Sequence, residues 1–203
     1  VNKTKIGKSE IIFNKLKRIA EYKIEEDFLN LKIFDKKDEP NIFYEARINL
    51  KPFYASLEAD LNEVNLNYIF GPNAVIAQLL KTEIFNNKNI DFIMNMNAKS
   101  IYKNVSFKKI KLKSKIKDGL IDLDNSKFEW KNFVNFELFE SLIFIRDGEL
   151  VLDGKLKIYI NNYNEVYKFL LTPKNYRKKI KEIDLNFTYN FDQNLAKLKD
   201  IKI

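Results

Sequence analysis

Four lysines and a scatter of carboxylates are the side chains whose spacing could do chemistry. Lys109, Lys111, Lys113 and Lys115 recur at every second position. Successive side chains of a strand point to opposite faces, so the four ammonium groups share one face. Such a row could contact phosphates. It equally suits a solvated sheet face, where lysines blunt edge-to-edge pairing. Aromatic residues do not interleave with the lysines there, so the stacking platform of a single-strand binder is missing. The four lysines are kept as charge candidates, and no nucleic-acid partner is expected.

The carboxylates of the same region are Asp91, Asp118, Asp122, Asp124, Glu137, Glu140, Asp147, Asp153 and Asp184. Most fit turns or outward positions. Glu140 is different, because it falls in register with Phe136, Leu138 and Leu142; it marks a wet point or a frayed rim. A lone carboxylate makes neither a glycosidase pair nor a cation site. The chain has no Cys and no His, which excludes a zinc centre of the usual type, a thiol nucleophile and a His-based triad. Neither the phosphate-loop motif nor the dinucleotide fingerprint is present. The expectation is a non-enzymatic protein with no metal and no cofactor.

The elements that would position these groups are strands. Among the 203 residues, 45% are hydrophobic and 32% charged, a balance that predicts a folded core. With 17 Phe and 10 Tyr, the composition favours β-structure. Gly and Pro are scarce, at 5 and 4, but 25 Asn can supply turns. Net charge is +8, with 36 basic and 28 acidic residues interspersed, which fits a solvated surface. No run reaches the ~20 apolar residues of a membrane span. The chain begins at Val1 and ends in the strand-like Ile201-Lys202-Ile203, as a fragment of a longer protein would.

Residues 133–160 form the longest patterned stretch. Val134, Phe136, Leu138, Leu142 and Phe144 alternate before Asp147-Gly148. Leu150, Leu152, Leu156, Ile158 and Ile160 alternate after it. Period two predicts a one-faced strand, and Asp-Gly suits the primed turns of hairpins. The same face recurs in Phe92, Met94 and Met96, in Ile110, Leu112 and Ile116, and in Leu185, Phe187 and Tyr189. Earlier, Ala55, Leu57, Ala59 and Leu61 alternate, and the small alanines predict close contact with something above that face. Two stretches change period. A helix near 73–85, with Val75/Ile76, Leu79/Leu80 and Ile84 as its stripe, should plug the open end of a sheet, membrane docking being the alternative. A shorter helix near 164–171 ends at Thr172-Pro173. The predicted fold class is mainly β: a long antiparallel, twisted and curved sheet, an open groove or taco, capped or interrupted by one or two short helices. Residues 1–40 hold short N-terminal strands and a charged loop over 35–40; residues 41–203 form the groove region.

From Asn89 onward the chain resembles the AsmA-like family of bacterial envelope proteins. Asn89-Ile90-Asp91-Phe92 with Met94 and Met96 carries the likeness, as does Ile110-x-Leu112 leading to Lys117-Asp118-Gly119-Leu120-Ile121-Asp122-Leu123. So do residues 147–154, from Asp147 to Gly154, and the closing pattern from Tyr189-Asn190-Phe191-Asp192. The likeness covers residues 89–203, loosely 47–61, and hardly 1–40. It implies a β-groove, related in style to TamB and the chorein-type lipid bridge proteins, with phospholipid or another lipid as partner. It also implies a periplasmic location, with the parent anchored in the inner membrane of a Gram-negative bacterium through segments outside this fragment. Acyl chains would slide on Phe92, Met94, Met96, Ile110, Leu112, Ile116, Phe136, Leu138, Leu142, Phe144, Leu150, Leu152, Leu156, Ile158, Leu185, Phe187 and Tyr189. Head groups would stay at the rim near Lys109, Lys111, Lys113 and Lys115. The alternatives are an assembly factor for outer-membrane proteins without lipid transfer and, last, a basic nucleic-acid-binding β-protein.

Overall fold

The computed structural model describes residues 4–13, 16–35, 42–87 and 89–203. The charged loop expected over 35–40 lies, from residue 36 on, outside the described residues. Among these described residues, thirteen strands form one curved, twisted sheet. The first five are β1 (Lys5–Phe13), β2 (Leu16–Glu25), β3 (Phe28–Asp35), β4 (Ile42–Leu50) and β5 (Phe53–Val64). Then come β6 (Asp91–Ile101), β7 (Asn104–Lys117), β8 (Leu120–Asp122) and β9 (Lys127–Trp130). The long hairpin of β10 (Val134–Arg146) and β11 (Glu149–Ile160) follows, then β12 (Glu182–Asn190) and β13 (Leu195–Lys202). Neighbours in sequence are neighbours in the sheet, except that β8 and β9 both lie between β7 and β10. Strand pairing runs on from β3 to β4, across the boundary placed at residue 40.

The mainly β, curved fold agrees with the alternation, but the sheet is mixed rather than wholly antiparallel. β5 and β6 pair in parallel, with Leu57 opposite Met94 and Ala59 opposite Met96. A parallel pair needs a crossover long enough to bring the chain back to the same end. Here that crossover is helical: α1 (Leu66–Phe70), α2 (Val75–Lys81) and a 3-10 turn at Ile84–Asn86. Asn65 caps α1 by accepting the Asn67 N–H at 3.1 Å. Both Asp-Gly turns adopt the primed geometry, with positive φ at Asp118 and Gly119 and at Asp147 and Gly148.

The helices pack against one face of the sheet, here called the inner face. Ala74, Ala77 and Leu80 of this crossover share one buried cluster with Ala59, Met94, Met96, Leu112 and Leu152. Ala59 and Ala77 are both almost fully buried. The small strand residues therefore do mark close approach of another element. The helical stripe is displaced from its expected position, since Val75 and Ile84 are exposed while the alanines face the sheet. Small residues let the helix approach closely, and that proximity outweighs the size of the branched side chains.

A polar clamp fixes the far end of α2. Asp192, in the β12–β13 turn, accepts from Lys81 Nζ at 2.8 Å and from the Leu150 backbone N–H at 2.6 Å. The Lys81 hydrogen bond, then the backbone one, holds the Asp192 carboxyl below its usual range. Beside it, Gln193 and Asn190 donate to Glu149 and lower its carboxyl too. A depressed carboxyl stabilises the fold above its unfolded pKa of about 4 and loses that contribution as pH falls through the folded value. The urea midpoint should be flat above about pH 5 and fall below about pH 4. Asp192→Asn should lower stability by about 1 kcal/mol at neutral pH, the pair being partly solvated, and should flatten the acid limb. Urea titrations of both proteins from pH 2.5 to 7 check this.

Candidate functional site

The inner face divides into three zones. Over β1–β5 it is an uncovered trough of about 350 Å³, lined by Ile11, Arg18, Leu31, Ile33, Tyr44, Ala46 and Leu57. Register explains the lining: Leu31 stands opposite Ala46, Ile33 opposite Tyr44, and Ala46 opposite Leu57. Arg18 is buried at the trough floor and donates to Asp35 at 3.3 Å. Burial raises the Tyr44 hydroxyl pKa; nearby Arg18 pulls it down and Asp35 pushes it up. The middle zone is filled by α1 and α2.

Beyond the helices lies the third zone, a cavity of about 390 Å³. Leu66 and Phe70 of α1 close one side. Phe107, Ile110, Leu112, Phe128, Leu138, Ile143, Leu152 and Tyr189 of the sheet form the other. An aromatic cluster sits at its outer end. Phe128 stacks on Phe136 at 4.7 Å between ring centroids, and Phe107 meets both at 5.9 and 6.2 Å. Both volumes fall in the range of small-molecule pockets, and both linings are predominantly apolar, with Arg18 in the trough and Asn67, Lys111, Ser126 and Lys127 in the cavity as the polar members.

The candidate apolar residues separate accordingly. Met94, Met96, Ile110, Leu112, Ile116, Leu150 and Leu152 are buried in the cluster under the helices. Phe92, Leu138, Phe187 and Tyr189 are partly buried at its border. Phe136, Leu156, Ile158 and Leu185 are half-buried and stand in one row, since Phe136 pairs with Ile158 and Leu156 with both Leu138 and Leu185.

Leu142 and Phe144 do not belong to this face. The β10–β11 register slips between Phe139 and Leu142, where Glu140 takes a positive φ of 45°. This is a β-bulge: two residues of one strand oppose one of the other. Past it the alternation inverts. Ile143 and Ile145 turn inward, opposite Leu152 and Leu150, and Leu142 and Phe144 turn outward, opposite Asp153 and Val151. Glu140, read in register with an apolar row, is the residue that breaks the register. Its carboxylate reaches Lys155 across the hairpin.

Lys109, Lys111, Lys113 and Lys115 lie on the outer face of β7, a strand in the middle of the sheet rather than at a rim. That face is polar across three strands. Lys113 stands opposite Asn95, whose amide donates to Glu58 at 2.8 Å. Lys111 stands opposite Asn97, whose amide donates to Asp60 at 2.9 Å. Lys109 pairs with Glu129 at 3.0 Å and Lys115 with Asp91 at 3.8 Å. The ladder is thus balanced by acids and amides, and Lys111 alone of the four also borders the third-zone cavity.

Sequence reading missed Phe107, Phe128, Ile143 and Ile145 on the inner face, together with the whole N-terminal trough. Lys109, like Glu140, has positive φ and marks a bulge, so Phe107 and Ile110 share a face although three positions apart. Among the described residues no group of three or more His, Cys, Asp or Glu side chains could hold a metal ion. No helix among them is long and apolar enough to cross a membrane.

No family model, curated protein or solved structure matches this chain.

Proposed function

We propose that this chain is a non-enzymatic lipid-binding module that holds the acyl chains of phospholipid, or of a lipid like it, on its inner face. The observation that supports the reading is the uneven covering of that face. Helices α1 and α2 bury its middle, yet apolar side chains on both flanks remain half-exposed around volumes of about 350 and 390 Å³. Each buried methylene of a bound chain contributes about 0.8 kcal/mol, so several suffice for retention. The motif likeness to AsmA-like envelope proteins points the same way, and with it comes the proposal of a periplasmic module serving outer-membrane maintenance. Lipid in this arrangement occupies one compartment or the other. Passage between them requires α1 and α2 to move.

The test is extraction of the purified protein followed by mass spectrometry, together with uptake of a fluorescent fatty acid. Phospholipid should copurify. Leu31→Asp in the trough and Leu138→Asp beside the cavity should each lower fatty-acid uptake severalfold with the melting temperature largely kept, because both positions are half-buried. A protein free of lipid that also takes up no fatty acid defeats the reading, and leaves an assembly role without lipid as the better account.

A further inference from the structure

The excursion between β11 and β12 carries a second surface that the groove does not use. Its helix α3 (Tyr163–Phe169) is capped by Asn162, which accepts the Glu165 N–H at 3.2 Å. Pro173 prevents continuation of the helix, and a 3-10 turn follows at Lys174–Tyr176. The end of α3 and this turn present Phe169, Leu170, Leu171 and Tyr176 to solvent, at 60%, 61%, 86% and 71% exposure. Two consecutive leucines at that exposure add little to apolar burial within the chain. The tip is nonetheless rigidly built. The Tyr167 hydroxyl donates to the Lys178 carbonyl at 2.7 Å and accepts its N–H at 3.2 Å, and Arg177 Nε donates to the Thr172 carbonyl at 2.9 Å.

Charge is concentrated on the same excursion. Residues 166–181 hold six Lys and Arg and no Asp or Glu, against a net charge of +8 for the whole chain. Lys168 is paired with Glu165, but among the described residues no carboxylate pairs with Lys174, Lys178, Lys179 or Lys181. This differs from the β7 lysines, each row of which faces acids or amides. Exposed apolar side chains beside unneutralised cations are the combination that seats a peripheral protein on an anionic bilayer, the first entering the acyl boundary and the second meeting phosphate. A nucleic acid would use the cations and leave the leucines without a partner. We propose that this excursion is a membrane-docking element for anionic phospholipid surfaces. Trp130 packs on Phe169 at 4.6 Å between rings, on the same strand as Phe128 of the aromatic cluster. Docking therefore sets the third zone of the inner face close to the bilayer.

Trp130 is the sole tryptophan and lies against the element, so its fluorescence reports contact directly. The protein is mixed with vesicles of phosphatidylcholine alone or of phosphatidylcholine with phosphatidylglycerol, whose anionic head groups give the surface the negative potential that attracts basic residues. Cosedimentation should rise at least about tenfold with the anionic lipid and fall again in high salt. The Trp130 emission should shift to the blue. Leu170→Asp/Leu171→Asp and Lys178→Glu/Lys179→Glu should each abolish most of the binding at unchanged melting temperature, since all four side chains are exposed. Lys111→Glu/Lys113→Glu on β7 should leave it intact. Absence of vesicle binding, binding that ignores the four tip substitutions, or binding only to an anionic oligonucleotide that persists in the leucine variant would each overturn the proposal. Vesicle binding by a protein that carries no lipid keeps this element and removes only the groove reading.

Discussion

Ile143→Lys should unfold the protein or bring it close to unfolding, while Leu142→Lys, one residue earlier, should change stability by no more than about 0.5 kcal/mol. Ile143 is 0% exposed and stands between Ile121 and Leu152. An ammonium group there has no partner, and the loss of apolar burial adds to its desolvation, for a cost of at least about 4 kcal/mol. That approaches the whole stability of an ordinary domain. Leu142 is 37% exposed on the outer face, between Asp122 and Asp153, where a cation meets two carboxylates. Lysine is the informative substitution here, because aspartate at 142 would add repulsion unrelated to burial. Urea denaturation of both variants decides it. Equal loss in the two would mean that the bulge at Glu140 does not set the register of β10.

Gly154→Ala should cost about 1–3 kcal/mol, a fall of roughly 2–12 °C in the melting temperature of a chain of this size. Gly154 lies opposite the bulge, and Ser141 occupies the space where its side chain would stand. A Cβ at Gly154 would come within 2.2 Å of Ser141 Oγ and 2.9 Å of Ser141 Cα. The serine is 0% exposed and well held: its N–H donates to Asp124 at 2.8 Å and its hydroxyl to the Phe139 carbonyl at 2.9 Å. It therefore has nowhere to retreat. Ser141→Gly together with Gly154→Ala should recover part of the loss, since the hydroxyl clash goes and the backbone contact stays. Calorimetry of the two singles and the double closes the cycle, and additive losses would contradict a direct clash. Glycine at 154 leaves room for Ser141 to approach the partner backbone this closely.

Much of the fold was legible because most of it is local. Period-two alternation identified β6, β7, β10, β11 and β12, and the Asp-Gly pairs located two hairpin turns. The alanines of β5 signalled a covering element, and that element is α2. The candidate site was less legible. Alternation assigns faces only while the ladder keeps its register, and a single residue with positive φ inverts everything beyond it. Glu140 therefore misplaced Leu142 and Phe144, and Lys109 hid Phe107. The extent of covering was also beyond reach, since a periodic face reads alike whether a helix fills it or solvent does.

The curved β architecture, its long hairpin, its helical interruptions and an apolar face opposite a row of lysines could all be read from the chain alone. These follow from side-chain alternation and turn chemistry, which act over a few residues. The parallel β5–β6 pair, the bulge opposite Gly154, the filling of the middle of the inner face by α1 and α2, and the two apolar volumes on either side emerge only in the folded chain. Each depends on contacts between residues far apart in the chain, and no local pattern encodes which of two equally apolar stretches a distant helix will cover.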